Sequence, residues 1–191
     1  MPRDYTQLPP NHIRKRDRAI EDDTWIRRFL RTAPYGVLAT VNDGRPFLNS
    51  NLFVFDESAH ALYLHTARVG RTAGNVRAGE EVLVTCFTTF RMGRILPAAT
   101  ALNFSVEYEG VTVFGAARII EDVERSRYAL QMLLDKYAPH LMPGRDYHPI
   151  TDEELERTAV YQINIDMWSG KRNRKPPDFP GAFTYEPGPL S

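Results

Sequence analysis

The sequence predicts a mainly β protein, a closed antiparallel barrel of about six strands with helices packed on its outside. Apolar stretches of strand length follow one another with short turns between them, and Asp43-Gly44 marks a tight hairpin because both residues accept positive φ. Helical patterns occur only near the start, the middle and the end of the chain. We expect one domain over residues 1–191, with an N-terminal arm at 1–22 and a C-terminal tail at 176–191.

Composition narrows the class of function. The chain has 24 lysines plus arginines against 24 aspartates plus glutamates, so no basic field favours nucleic acid. The single cysteine, Cys86, lies in an apolar run, which indicates a buried free thiol and excludes a disulfide framework or a cysteine zinc site. The histidines lack metal-ligand spacing, so we expect no metal.

The N-terminal residues and the apolar runs bear on localisation. The first twenty residues are charged, unlike a secretory signal. No apolar run approaches the ~20 residues that a membrane-spanning helix needs. We therefore expect a cytoplasmic protein without a membrane segment.

The first helix is expected to begin at Asp23, which can cap it, and to end before Pro34. Its apolar face comprises Trp25, Ile26, Phe29, Leu30 and Ala33. A strand over 35–41, the hairpin turn and a return strand over 45–55 follow, and a further strand ends at His65. A short helix over 71–78, closed by Gly79, precedes a strand over 81–88.

The second half of the chain begins with residues 89–104, which we interpret as a loop because they contain Gly93 and Pro97. Strands over 105–110 and 111–120 and a helix over 122–138 come next. Thr151 and Glu154 form a capping box, and the alternation over 158–168 predicts a half-exposed strand. We interpret the basic run 171–175 as a solvated face.

The segment from His65 to Thr72 is the first candidate site. A strand ends in His65-Thr66, a loop with Gly70 follows, and a helix opens at Arg71. The first turn of a helix has free backbone N–H groups and a positive dipole end, and Thr66, Arg71 and Thr72 could complete a phosphate cradle there. The alternative is a strand–helix corner with a surface arginine.

A second candidate lies within the strand over 45–55. Asn49, Ser50 and Asn51 interrupt a strand that otherwise reads as buried, and asparagine is disfavoured in strand interiors. The three residues could mark an edge or a bulge. We favour a functional interpretation, in which their amides meet the polar edge of a planar ring, because buried polar groups need partners.

Several segments, taken in order, carry a family resemblance. They are the Asp43-Gly44 hairpin, the strand with Pro46, Leu64-His65-Thr66 with Gly70-Arg71, Val113-Phe114-Gly115 with Ala117-Arg118, and Trp168-Ser169-Gly170-Lys171. Over residues 12–175 the chain resembles the FMN-binding split-barrel superfamily of pyridoxamine 5'-phosphate oxidase-like proteins. Within it, the resemblance is closest to the 5-nitroimidazole reductase, or nitroimidazole resistance, branch.

The resemblance implies a homodimer of six-stranded split barrels with two FMN sites at the interface. Thr66, Arg71 and Thr72 match the phosphate-binding segment, and Asn49, Ser50 and Asn51 lie on the strand that meets the flavin ring. Trp168 and Lys171 match a segment that the second subunit contributes near the flavin. His65 matches the histidine proposed to act on the substrate side.

The departures from the family pattern guide the choice of activity. Vitamin-synthesising members carry an Arg-Lys pair and a lysine late in the second strand, where this chain has Arg71-Thr72 and Val54. We therefore expect an FMN-dependent oxidoreductase that reduces a small electrophile such as a nitroimidazole, with His65 supplying a proton. The alternatives are a non-catalytic module for flavin, deazaflavin or haem, and a pyridoxamine-phosphate oxidase.

Overall fold

The computed structural model describes residues 4–78 and 84–186. Its strands are β1 Ala19–Ile20, β2 Gly36–Asn42, β3 Arg45–Asn51, β4 Val54–Asp56, β5 Ala61–Ala67, β6 Val84–Leu96, β7 Ser105–Ile119 and β8 Thr158–Asn173. Its helices are α1 Asp23–Thr32, α2 Arg71–Ala78, α3 Val123–Tyr137 and α4 Asp152–Arg157. Short 3₁₀ turns cover Tyr5–Gln7, Arg16–Arg18 and Ala101–Asn103. No helix in the described part of the chain is both long and apolar enough to cross a membrane.

The strands form one antiparallel sheet in the order β3-β2-β6-β7-β8-β5-β4, with β1 paired to β8. This confirms the predicted antiparallel barrel architecture with peripheral helices. The expected number of six strands is wrong, since the described residues form eight. The two additional strands, β1 and β4, have only 2 and 3 residues, too short to give a periodic signal in the sequence.

One hydrophobic cluster fills the inside of the curved sheet, and α1 packs against it with the apolar face expected from its spacing. Side chains alternate between the faces of a strand, so Leu62 and Leu64 of β5 enter this cluster while Tyr63 points outward. Tyr63 lies under α3 in a second cluster with Ala129 and Leu133. Both faces of β5 are therefore buried until the strand reaches His65, part of which is exposed and part of which lines an apolar hollow.

The predicted strand over 45–55 is two strands. β3 pairs with β2, whereas β4 pairs with β5, so the chain changes partner between Asn51 and Val54. At the break, the Tyr137 hydroxyl and Lys136 Nζ lie 2.9 and 2.7 Å from the Phe53 carbonyl oxygen. These side chains of α3 take the place of a neighbouring strand.

The predicted loop over 89–104 is wrong in its first half. β6 continues to Leu96 and pairs with β7, and the register shifts between Met92 and Ile95. Gly93 lies at this irregularity, where a Cβ would approach the Glu107 Cβ to 2.9 Å, so the glycine permits the strand to continue. The strands expected over 105–110 and 111–120 are one strand, β7, which runs through Gly110.

Smaller differences concern helix and strand ends. The cap of α1 is Asp22, whose carboxylate accepts from the Thr24 N–H, and not Asp23. The capping box of Thr151 and Glu154 is present. β8 runs on to Asn173, and its first half is buried because α3 and α4 cover it. Cys86 is half-buried, and burial raises the pKa of its thiol. The predicted Gly79 helix stop and the expected start of a strand at 81 lie outside the described residues.

Candidate functional site

The first turn of α2 is attached to the middle of β3 by a side-chain hydrogen bond. The Asn49 amide donates to Thr72 Oγ1 at 3.0 Å, and Thr72 is 5% exposed. Asn49 pairs with Leu38 of β2, a residue of the barrel core, so its side chain is on the inward face of the sheet. The structure therefore brings together two of the segments that the sequence nominated separately.

A second buried hydrogen bond, one helical turn further on, fixes the orientation of α2. The Asn75 amide donates to the Thr40 hydroxyl of β2 at 2.8 Å, and both residues are buried. Asn75 and Thr72 are three residues apart and share one face of the helix. Two hydrogen bonds on that face hold the first turn of α2 against the end of the barrel.

Arg71, which directly precedes Thr72, is exposed to solvent. Its guanidinium carbon is 5.9 Å from the centre of the Phe47 ring of β3, and it makes no hydrogen bond or ion pair within residues 4–78 and 84–186. The loop before it contains Gly70 at φ +131°, a conformation that residues with a Cβ rarely adopt. An unpaired guanidinium beside the free N–H groups of a helix start suits a phosphate or carboxylate.

Thr66 is engaged within the protein. Its hydroxyl lies 2.9 Å from both the Ala67 carbonyl oxygen and the Tyr161 hydroxyl. These contacts join the end of β5 to β8 on the inward side of the barrel. As the structure stands, Thr72 and Arg71 belong to the helix start, and Thr66 is bonded to the strands beneath it.

His65 points to the other side of β5 from Thr66. It lines an apolar hollow of about 290 Å³ together with Leu52, Leu130, Leu133, Leu134, Tyr137, Ile150 and Glu154. The loss of water around the imidazole lowers its pKa below 6.5. Desolvation therefore favours the neutral form of the ring, and the carboxylate of Glu154 lines the same hollow.

Ser50 and Asn51 lie on different faces of β3. Ser50 is exposed, on the same outward face as Leu48 and Leu52, whose exposed fractions are 65% and 52%. Asn51 faces inward, and its amide donates to the Asn49 carbonyl at 3.2 Å. Because Leu52 also lines the hollow of His65, the outward face of β3 leads directly to that histidine.

Trp168 and Lys171 lie in the distal half of β8. The Trp168 indole N–H donates to Asp23 at 2.9 Å, and its ring lies 4.8 Å from that of His60. Val160, which pairs with His65, is eleven residues before Lys171, or about 36 Å along an extended strand. Within one chain, Lys171 is therefore at the other end of the barrel from Arg71.

Sequence reasoning missed Thr40, Phe47 and Asn75. Asn75 follows Thr72 at helical spacing, and Phe47 precedes Asn49 at strand spacing. Once Thr72 and Asn49 were nominated as site residues, these spacings could have identified Asn75 and Phe47 as their neighbours on the same face. Thr40 gives no such signal, because only the pairing of β2 with β3 brings it to α2. Among the described residues, no group of three or more His, Cys, Asp or Glu is placed to hold a metal ion.

Comparison with protein families identifies the class. The family model described as pyridoxamine 5'-phosphate oxidase matches residues 22–172, and the chain belongs to this family. No curated protein matches the chain.

Solved structures with the same fold exist. The flavocytochrome Anf3 from Azotobacter vinelandii has a TM-score of 0.77 and 22% identity, over 95% of this chain and 86% of that one. A FAD and haem binding protein from Mycobacterium smegmatis has a TM-score of 0.73 and 22% identity, over 91% of this chain and 88% of that one. A protein from Bacteroides thetaiotaomicron with the provisional name of 5-nitroimidazole antibiotic resistance protein has a TM-score of 0.65 and 20% identity, over 81% of this chain and 86% of that one. At these identities the similarity establishes the fold.

Proposed function

We propose that the chain binds a flavin, FMN in the first instance, and uses it to reduce a small electrophile such as a nitroimidazole. Family membership supports a cofactor of this class. Two of the similar structures belong to proteins named as a flavocytochrome and a FAD and haem binding protein, and a third carries a nitroimidazole-resistance name.

The observation that carries the proposal is the arrangement of Arg71 above the Asn49–Thr72 hydrogen bond. That bond fixes the helix start, while the Arg71 guanidinium has no partner within residues 4–78 and 84–186 and is free to pair with a phosphate. An unpaired guanidinium would cost free energy if it were buried. Arg71 is exposed, so water solvates it when no ligand is bound. The residues present therefore fit the phosphate end of a flavin nucleotide.

The outward face of β3 suits the ring system. Leu48 and Leu52 offer exposed apolar surface on either side of Ser50. β3 is at the edge of the described sheet, so its free backbone N–H and C=O groups can bond to the polar edge of a planar ring. A ring placed on this face would lie beside His65, which shares its hollow with Leu52. When bound, the flavin supplies the electrons, while these residues position it and exclude water.

His65 is proposed to hold the proton that the reduced substrate takes up. A histidine can donate a proton only as imidazolium, and its lowered pKa means that this form is populated in acid. The apolar walls of the hollow would favour a small aromatic substrate over a charged one. This is the basis for proposing a neutral electrophile.

We further propose that two chains form a dimer and share each flavin. Lys171 and Trp168 are too far along β8 to serve the Arg71 of their own chain, so they would serve the site of a second copy. The exposed Leu48 and Leu52 would be covered by such a partner.

The test is the absorbance spectrum of the purified full-length protein before and after addition of FMN, followed by equilibrium dialysis. We expect stoichiometric binding with a shifted flavin band, and reoxidation of the chemically reduced complex by a nitroimidazole under anaerobic conditions. Protein that neither carries nor takes up flavin would refute the proposed function. If the protein binds flavin but does not reduce the nitroimidazole, the chain would be a flavin-binding module without this activity.

A further inference from the structure

A large cavity lies at a distance from the Arg71 site. It measures about 680 Å³, is open to solvent, and lies between arm residues 10–18 and the outer face of β6, β7 and β8. Among the residues that the proposed function gives to the flavin, only Lys171 lines this cavity, and it would serve the flavin of a second copy. A cavity of this size accommodates a nucleotide or a molecule of similar size.

The lining of this arm cavity is cationic. Four basic side chains line it, and no carboxylate from residues 4–78 or 84–186 does so: Arg14, Lys15, Arg18 and Lys171. The whole chain has equal numbers of acidic and basic residues, so this concentration of positive charge is local. Like charges gathered around one cavity repel one another, and an anionic ligand would relieve that repulsion.

Three of the four cations are free to bind. Arg14, Lys15 and Lys171 have no hydrogen bond or ion pair among the described residues, although Lys171 Nζ lies 5.4 Å from the Tyr108 ring centre. The fourth is engaged, because Arg18 donates to the Tyr108 hydroxyl at 3.4 Å and lies 4.0 Å from Asp17. Two or more free cations match the charge of a diphosphate.

The remaining wall is mixed, with both apolar and hydroxyl-bearing side chains. Hydroxyl groups of Thr88, Thr112 and Ser169 come from three adjacent strands. Thr88 and Thr112 lie 3.2 Å apart and can each still bond to a ligand, since a hydroxyl both donates and accepts. Hydroxyls beside free cations suit a sugar phosphate, and the rings of Phe90 and Phe114 offer apolar surface to a base.

We propose that the arm cavity binds the adenosine diphosphate part of a dinucleotide, with the phosphates held by Arg14, Lys15 and Lys171. Two sources share this chemistry: the adenylate end of FAD, and a nicotinamide dinucleotide that donates electrons to the flavin. The choice between these two sources rests on the proposed flavin function. The binding of ADP to the cavity does not depend on flavin binding.

The experiment is isothermal titration calorimetry of the flavin-free full-length protein with ADP. We expect saturable binding, weakened by about tenfold or more in the double variant Arg14→Gln/Lys15→Gln, since a lost charged contact is commonly worth a factor of ten. The matched control is Arg28→Gln/Lys175→Gln, which removes one arginine and one lysine outside the cavity whose side chains have no hydrogen bond or ion pair in the described structure. Its affinity for ADP is expected to equal that of the wild type.

Titrations with FAD and FMN distinguish the two sources. If FAD is the ligand, it binds about tenfold or more tightly than FMN, and the double variant removes this preference. If the donor is the ligand, FAD and FMN bind equally and NADH or NADPH displaces ADP.

Three results would overturn the proposal: no ADP binding by the wild type, equal weakening in the control, or inorganic phosphate binding as tightly as ADP. If the wild type binds haemin but not ADP, and the double variant loses haemin binding, the cavity would be a haem site. ADP binding by a protein that takes up no flavin would leave this proposal standing and refute the flavin site, so the two can fail separately.

Discussion

The Asn49 amide on β3 donates a 3.0 Å hydrogen bond to the hydroxyl of Thr72, 23 residues later in the chain. Sequence reasoning had given Asn49 to a flavin ring and Thr72 to a flavin phosphate. In the structure each satisfies the other, and what remains free at this place is Arg71 and the backbone of the helix start. The bond is therefore a positioning contact that fixes where an anion would be held.

Asn49→Ala is expected to lower the free energy of unfolding by about 1–2 kcal/mol, because it removes the hydrogen bond and leaves the buried Thr72 hydroxyl without this partner. Flavin affinity should fall with it, since the helix start becomes less fixed. The neighbouring Ser50→Ala is the control, because Ser50 faces solvent and should leave stability unchanged. Urea unfolding of both variants measures the difference, and equal stability would contradict the proposed attachment of α2.

Arg71→Gln is expected to weaken FMN binding by about tenfold to a hundredfold, since a hydrogen bond to a charged group contributes about 1.5–3 kcal/mol. The fold should be unaffected, because Arg71 is exposed and has no hydrogen bond or ion pair in the described structure. Arg28→Gln, an exposed arginine of α1, is the matched control. FMN fluorescence titration is the measurement. Unchanged affinity would return Arg71 to the role of a surface arginine.

His65→Gln is expected to retain flavin and to lose a pH-dependent component of nitroimidazole reduction. Because burial lowers the pKa of His65 from its ordinary value, the imidazolium fraction grows as the pH falls into the acid range. The wild-type rate of reoxidation of the reduced protein should therefore rise from pH 7 to pH 5, and the variant should lack this rise. Stopped-flow rates across this range, with His140→Gln as an exposed control, provide the test. Parallel profiles for wild type and His65→Gln would make His65 structural.

Mixing Arg71→Gln and Lys171→Gln subunits tests whether one flavin site draws on two chains. If Arg71 comes from one protomer and Lys171 from its partner, each mixed dimer regains one intact site, about a quarter of all sites after random exchange. If both residues serve the site of their own chain, no site is restored. FMN titration after co-refolding, compared with each variant alone, gives the answer.

Lys136 is expected to make stability depend on pH in the alkaline range. Burial lowers its pKa from 10.5 to about 8, and the positive Arg91 contributes in the same direction. Between these values the unfolded chain holds a proton that the folded chain has released, so the free energy of unfolding rises with pH. From pH 8 to 9.5 the wild type should gain about 1–2 kcal/mol relative to Lys136→Met.

Urea unfolding at several pH values measures this gain. Lys175→Met is the control, since Lys175 is exposed. If the difference between wild type and Lys136→Met stays constant over the range, Lys136 keeps its ordinary pKa in the folded protein.

Local sequence patterns were sufficient to predict the most clearly marked elements. The face of α1, the capping box of Thr151 and Glu154 and the Asp43-Gly44 hairpin depend on residues close together in the chain, so their signals are local. The division of 45–55 into β3 and β4 gave no local signal, because it depends on Tyr137 and Lys136, which reach Phe53 from α3. The extension of β6 past Gly93 depends likewise on its pairing with β7.

The site divides in the same way. The sequence by itself determined that Arg71 and Thr72 open a helix after a glycine loop, since this is a property of one short segment. The expected strand end at His65 was two residues early, because β5 continues to Ala67. Only the tertiary structure decided that Asn49 bonds to Thr72 and that Thr66 bonds to Tyr161. It also separated His65 from Thr66, because adjacent residues of a strand face opposite sides and only the packed helices make those sides different. The arm cavity belongs to the same category. Its three arm cations lie 153 or more positions from Lys171 in the chain, and only the folding of the arm onto β8 brings them together.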